Sequence, residues 1–219
     1  MTETTPRLRA LQEEVCRVNQ ALPAAGLVTS TSGNASGIDR AAGLVVIKPS
    51  GIDYAALTPE ACALVELASG RHISGGKPSV DTTHHLFLYQ KDPCLGGIIH
   101  THSNYATAFA AVERSIPCAL TAMADEFGAA IPCTPYVDNI GDHIATAIME
   151  YRGRGPGILL GHHGVFAFDA TPAKALKAAI MIEDAARTMW LAMQIGAPQP
   201  LPPAEIEKWW TRYHTSYGQ

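Results

Sequence analysis

The sequence predicts a single domain of the α/β or α+β class, and three observations lead there. At 219 residues the chain is long enough to bury one core, and no linker-like stretch divides residues 1–219 into two domains. Short apolar runs such as LVVIK (44–48) and GILL (157–160) read as buried strands. Segments with helical spacing stand between them in irregular alternation, which departs from a strictly repeated βαβ pattern.

In chain order, residues 8–22 place Leu8, Leu11, Val15, Val18 and Leu22 at helical spacing, with Pro23 as the stop. Residues 27–29 read as a short strand and 30–37, STSGNASG, as a small-residue turn. The strand at 44–48 runs into the turn Pro49-Ser50-Gly51. Thr58 suits an N-cap, with Pro59 at the first position of a short helix. A strand over 63–67 and a helix over 81–90 follow. Gly96-Gly97 then punctuates the chain, and the next buried strand ends in His100-Thr101-His102. A helix over 105–112 precedes a mixed stretch, 116–135, with a short strand near 131–133. Residues 142–151 are helical, 157–160 and 165–168 are strands, and 161–164 is the turn between them. The longest helix, 171–194, has Thr171 as N-cap and Pro172 at its first position. A Pro-rich connector, 196–203, leads to a terminal segment ending SYGQ.

Hydrophobic residues make up 47% of the chain and charged ones only 16%, a balance that fits extra surface buried in an oligomer. The net charge of −4 and the lack of a basic stripe argue against nucleic acid as a partner, while leaving room for a small phosphorylated molecule. Five cysteines, odd in number and without a CxxC pair, read as reduced thiols. Neither a hydrophobic leader nor a membrane-length apolar run is present, and the expected location is the cytoplasm.

Chemistry concentrates on the HTH triplet. Alternate strand residues share a face, so His100 and His102 point the same way, as two neutral imidazoles binding a divalent metal such as zinc must. His163, held between a buried strand and Gly164, is a third ligand candidate, and His162 beside it should point elsewhere. Asp81, at the start of the helix before the HTH strand, is the candidate carboxylate. Polar strand ends and a carboxylate that merely complements a helix dipole are the ordinary alternatives. Three turns, Ser32-Gly33-Asn34, Ser50-Gly51 and Ser79, offer the N–H groups and hydroxyls an anion needs.

The stretches ALPAAGLVTSTSGNASGIDR, VVIKPSGIDY, KPSVDTTHHLFLYQ, GGIIHTHSNYAT, ADEFGAAIPCT, GHHGVFAF and SYGQ resemble, in order and across nearly the whole chain, the class II aldolase/epimerase family. That resemblance implies a three-layer α/β/α fold around a central, largely antiparallel sheet. It also implies a fourfold-symmetric homotetramer with active sites at subunit interfaces. Carried over by position, Asp81, His100, His102 and His163 hold one divalent metal per subunit, zinc foremost, with manganese or cobalt as alternatives. Gly33, Asn34, Lys48, Ser50, Gly51 and Ser79 match the phosphate and substrate loops. Arg212 aligns with a phosphate-binding arginine if the chain is shortened before its terminal tyrosine. Asp125 and Tyr217 match two catalytic acid/bases, both supplied by the neighbouring subunit.

Aldolases of the fuculose-phosphate type carry glutamate where Asp81 stands, long enough to leave the metal and act as base. Aspartate suits the fixed ligand of the family's 4-epimerases. The reaction implied is interconversion of L-ribulose 5-phosphate and D-xylulose 5-phosphate by cleavage and re-formation of C3–C4. The alternatives are a sugar-phosphate aldolase, a related sugar-acid-phosphate decarboxylase, and a non-catalytic scaffold like the adducin head, against which the intact ligand set argues. Three features depart from the epimerase pattern: Val80 replaces a second serine, Trp209 a histidine, and the segment between Asp138 and Asp142 is short.

Overall fold

The apolar runs of the chain pair into one eight-stranded sheet, seen in a computed structural model that describes residues 5–216. The strands are β1 (Asn34–Asp39), β2 (Leu44–Ile47), β3 (Ala63–Glu66), β4 (His72–Ser74), β5 (Gly97–Thr101), β6 (Cys133–Thr134), β7 (Gly157–Leu160) and β8 (Gly164–Asp169). Their order is β4-β3-β2-β1-β5-β8-β7-β6, and every neighbouring pair is antiparallel except β6 with β7.

Helices cover both faces, because alternate strand residues on each face are apolar. On one side α1 (Pro6–Ala24), α3 (Asn104–Ala110), α4 (Thr121–Phe127) and α6 (Pro172–Ile195) bury Ala35, Ile99, Val165 and Ala167. On the other, α2 (Thr82–Lys91) and α5 (His143–Tyr151) bury Val45, Val65, Ile98, Ile158 and Phe166. The expected three-layer α/β/α arrangement around a largely antiparallel sheet is therefore present. A last helix, α7 (Pro203–Thr215), packs on α4.

Several local expectations change. Residues 27–29 form no strand: Leu27 is buried, but the chain turns at once, with Ser30 at φ 55°. The stretch read as a turn over 30–37 becomes β1 from Asn34 onward. Its small residues serve proximity, since Gly37 pairs with Gly97 beneath the start of α6. A Cβ on Gly37 would meet Leu11 Cδ1 at 2.7 Å and Pro172 Cγ at 2.8 Å, and one on Gly97 would meet Pro172 Cα at 2.4 Å. The strand β4 and the helices α4 and α7 were not expected. The first helix begins earlier, at Pro6, where Thr5 caps it by accepting the Leu8 N–H at 3.2 Å. All five cysteines are free thiols, and among the described residues no helix is long and apolar enough to cross a membrane.

Candidate metal centre and its cleft

β5 lies in the middle of the sheet, and its register sets the site. His100 stands opposite Asn34 of β1 and Phe166 of β8. It is 1% exposed, and its Nδ1 lies 2.9 Å from the Val165 carbonyl. A carbonyl only accepts, so Nδ1 carries the hydrogen and Nε2 keeps its lone pair for a metal. His102, just beyond the strand on the same side, brings its ring centroid to 4.6 Å from that of His100. At the turn between β7 and β8, His162 takes a left-handed φ of 58° and is exposed, 3.7 Å from Glu113. The backbone reversal turns His163 inward, with its ring 4.9 Å from His100 and 5.2 Å from His102. The ligand nitrogens of His100, His102 and His163 all lie within 4.8 Å of one another.

Asp81 sits at the N-cap of α2, yet its side chain makes no capping bond. The carboxylate instead accepts from Asn34 Nδ2 at 2.6 Å and from Ser79 Oγ at 3.4 Å. A helix-dipole role alone does not explain a side chain held toward β1. Burial opposes its ionisation, but His100, His85 and the Asn34 bond outweigh that and hold the carboxyl below its usual range. Burial pushes the imidazoles the other way, His100 to about 4, with His102 and His163 also lowered. All three are then neutral near pH 7 with lone pairs available. Asp81 falls outside the tight triad but lines the same cleft, where a buried acceptor, Asn34 Oδ1, has no partner among the described residues. Three neutral imidazoles beside an ionised carboxylate suit zinc, manganese or cobalt, so the residues fit a divalent metal.

The cleft encloses about 240 Å³ and is walled by Gly33, Asn34, Ser50, Gly51 and Ser79 as well as the metal residues. Lys48 lines it too, 2% exposed, donating to Thr31 O at 3.3 Å and lying 4.6 Å from the Tyr54 ring centroid. Burial lowers its pKa despite the opposing field of Asp53. Among the described residues no carboxylate comes within ion-pair distance of this ammonium, so the site carries a cation in want of an anion.

Two expected site residues lie elsewhere. Asp125 is half-buried on α4 and Arg212 is exposed on α7, and neither lines the cleft of its own subunit. They sit on a pair of helices tied together by Tyr213 Oη, which donates to Glu126 Oε2 at 3.0 Å. Tyr217 lies outside the described residues. Asn139, which lines the cleft, was not anticipated; its place in the shortened 138–142 segment was the available signal. Val80 also borders the cleft and is 82% exposed.

Residues 13–190 match the family described as class II aldolase and adducin N-terminal domain. An L-ribulose-5-phosphate 4-epimerase, UlaF, of Salmonella paratyphi C is 39% identical, the match covering 97% of this chain and all of the relative. Among solved structures, an L-fuculose 1-phosphate aldolase superposes with a TM-score of 0.84 at 25% identity, covering 94% of this chain and 96% of the other. YgbL from Escherichia coli superposes at 0.81 with 24% identity, covering 92% and 98%.

Proposed function

The chain belongs to the class II aldolase and adducin N-terminal domain family, and on that premise we propose that it is a metal-dependent 4-epimerase interconverting L-ribulose 5-phosphate and D-xylulose 5-phosphate. The observation that carries this reading is end-to-end similarity at 39% identity to enzymes of that name. The histidine triad beside Asp81, with a buried Lys48 in the same cleft, supports it.

In this reading Asp81, His100, His102 and His163 hold the divalent metal, zinc by the chemistry of the set. The metal supplies Lewis acidity toward the sugar's ketone and neighbouring hydroxyl. Lys48 provides the counter-charge for the phosphate, and Ser50, Gly51 and Ser79 offer N–H and hydroxyl donors beside it. Gly33 and Asn34 form the wall against which the sugar lies. Inversion at C4 needs a proton removed from the C4 hydroxyl on one face and returned to oxygen on the other, once the C3–C4 bond has broken and the aldehyde has turned over. Asp125 and Tyr217 take those two roles. Since Asp125 lies off its own cleft, a neighbouring subunit supplies it, along with Arg212 and Tyr217, in a cytoplasmic homotetramer. The exposed Ile180, Leu191 and Ile195, aligned along α6 by their spacing, fit a further surface buried by assembly.

An aldolase reading has one observation in its favour, the superposition of an L-fuculose 1-phosphate aldolase over 94% of this chain. Partition of product decides between the two. A metal-loaded epimerase given D-xylulose 5-phosphate yields L-ribulose 5-phosphate with little escaped glycolaldehyde phosphate, whereas free aldehyde as the main product would establish the aldolase. Chelator should abolish the activity and added zinc restore it.

A further inference from the structure

The sheet sets the residues of the cleft in a fixed order along one of its ends. Gly33 and Asn34 stand where β1 begins, and Lys48, Ser50 and Gly51 follow the end of β2. Asn34 is opposite His100 near the end of β5, and Thr101 is opposite Val165 near the start of β8. Leu160, closing β7, pairs with Gly164 on one side and with Thr134, closing β6, on the other. The loops proposed for the phosphate therefore lie on the β1–β2 side of the histidine triad. The segment leaving β6 lies on the opposite side.

That segment brings Asn139 to the cleft, and hydrogen bonds hold it at several points. Thr134 Oγ1 accepts the Gly161 N–H at 3.1 Å, beside the turn that carries His163. Glu113 Oε1 accepts the Tyr136 N–H at 2.7 Å and lies 3.7 Å from His162 Nε2. Asp138 Oδ1 accepts the Ile140 N–H at 3.0 Å and His143 Nδ1–H at 2.7 Å, closing a turn across Asn139. The Asn139 carboxamide offers both a donor and an acceptor.

A pentulose 5-phosphate is ordered in the same sense: phosphate on C5, ketone on C2, and a hydroxymethyl group at C1. With the phosphate beside Lys48 and the ketone at the metal residues, the C1 end extends past the triad to the side where Asn139 stands. In the reading above the C4 hydroxyl meets the acid/base pair, while no residue has yet been matched to the C1 hydroxyl. A hydroxyl taken into a cleft without a partner forfeits its bonds to water, so a polar group is needed there. Among the described residues, Asn139 is the polar side chain that the segment beyond β6 contributes to the cleft.

We propose that Asn139 is a specificity-determining residue whose carboxamide binds the C1 hydroxyl of the sugar phosphate. The inference rests on the epimerase reading and on the phosphate lying beside Lys48.

The probe is 1-deoxy-D-xylulose 5-phosphate, which lacks only that hydroxyl, compared with D-xylulose 5-phosphate on the zinc-loaded enzyme. Wild type should favour D-xylulose 5-phosphate in kcat/KM, as a site built to bond a hydroxyl does. Asn139→Ala should shrink that preference by about 3–10-fold, the range for one neutral hydrogen bond. The loss should fall on D-xylulose 5-phosphate, with the 1-deoxy compound close to its wild-type value. Asn139 is exposed on its loop, so the variant should keep the wild-type melting temperature and zinc affinity. Calorimetric binding of both compounds to zinc-loaded Asp125→Asn protein, with and without Asn139→Ala, should repeat the pattern in the absence of turnover. Equal losses for the two compounds, or an unchanged preference, overturn the role of Asn139 and leave the epimerase reading standing. A zinc-loaded wild type that converts no D-xylulose 5-phosphate removes that reading, and the role of Asn139 with it.

Discussion

His100 Nδ1 donates to the Val165 carbonyl at 2.9 Å and so turns Nε2 toward His102 and His163. Burial depresses its pKa to about 4, against about 6.5 for a free imidazole. In the metal-free protein the unfolded chain therefore takes up a proton first as pH falls, and stability drops between those two values. Denaturant midpoints of the chelated protein should fall from pH 7.5 to pH 5, and equal midpoints would contradict the account. His85 adds in the same direction. Lys48 makes the opposite kind of prediction. Its ammonium is buried, with no carboxylate in ion-pair distance among the described residues, so Lys48→Met should raise stability by about 1–2 kcal/mol while weakening sugar-phosphate binding at least about 10-fold. A variant that is less stable and binds as before would show that Lys48 is a packing residue. At this scale the sequence was highly legible for the HTH triplet, because a strand's period of two needs no tertiary knowledge. It was less so for Asp81, whose position at a helix start suggested a dipole role that the Asn34 bond replaces. The bonds of Ser36 to His85 and Tyr89 were not legible at all, since they join residues on α2 to a serine whose strand was read as a turn.

Elements deliver these residues through backbone proximity. β1 and β5 meet at the Gly37–Gly97 pair, over which the first residue of α6 passes. A methyl at Gly97 would collide with backbone of Pro172 rather than with a side chain able to move. Gly97→Ala should therefore destabilise the protein by about 1–3 kcal/mol or more and loosen the strand that ends in His100. A melting temperature and zinc affinity equal to wild type would refute the close-approach argument. Strands made of continuous apolar runs, β2, β7 and most of β8, were read directly because their residues are apolar on both faces. β1 was hidden because its residues are small or polar, chosen for what passes over Gly37 and for the hydrogen bonds of Asn34 and Ser36. β4 was hidden for another reason: a three-residue, largely exposed edge strand carries no apolar signal. α7 follows Pro202 and has no fully buried side chain, so its place comes from partly buried Ile206 and Trp209, its packing on α4, and its bonds to Lys177 and Arg154.

At the scale of the molecule, the cleft and the α4–α7 pair divide the expected catalytic residues between them. The proposed metal ligands and phosphate-binding loops belong to one surface, and Asp125 and Arg212 to another. If neighbouring subunits join these halves, Asp81→Asn and Asp125→Asn proteins, each inactive, should complement when mixed and reassembled. With random mixing around a closed ring, about a quarter of sites receive both intact halves. No recovery in mixed assemblies of confirmed composition would place both residues in one subunit's site. The three-layer fold was legible through similarity spread over the whole chain, whereas interface residues carry no local pattern.

The most direct measurement is conversion of L-ribulose 5-phosphate by the zinc-loaded protein, followed for D-xylulose 5-phosphate and glycolaldehyde phosphate together. The account predicts D-xylulose 5-phosphate as the dominant product, lost on chelation and reduced by at least about 100-fold in Asp125→Asn. An active, metal-loaded protein that releases aldehyde without forming D-xylulose 5-phosphate would contradict it.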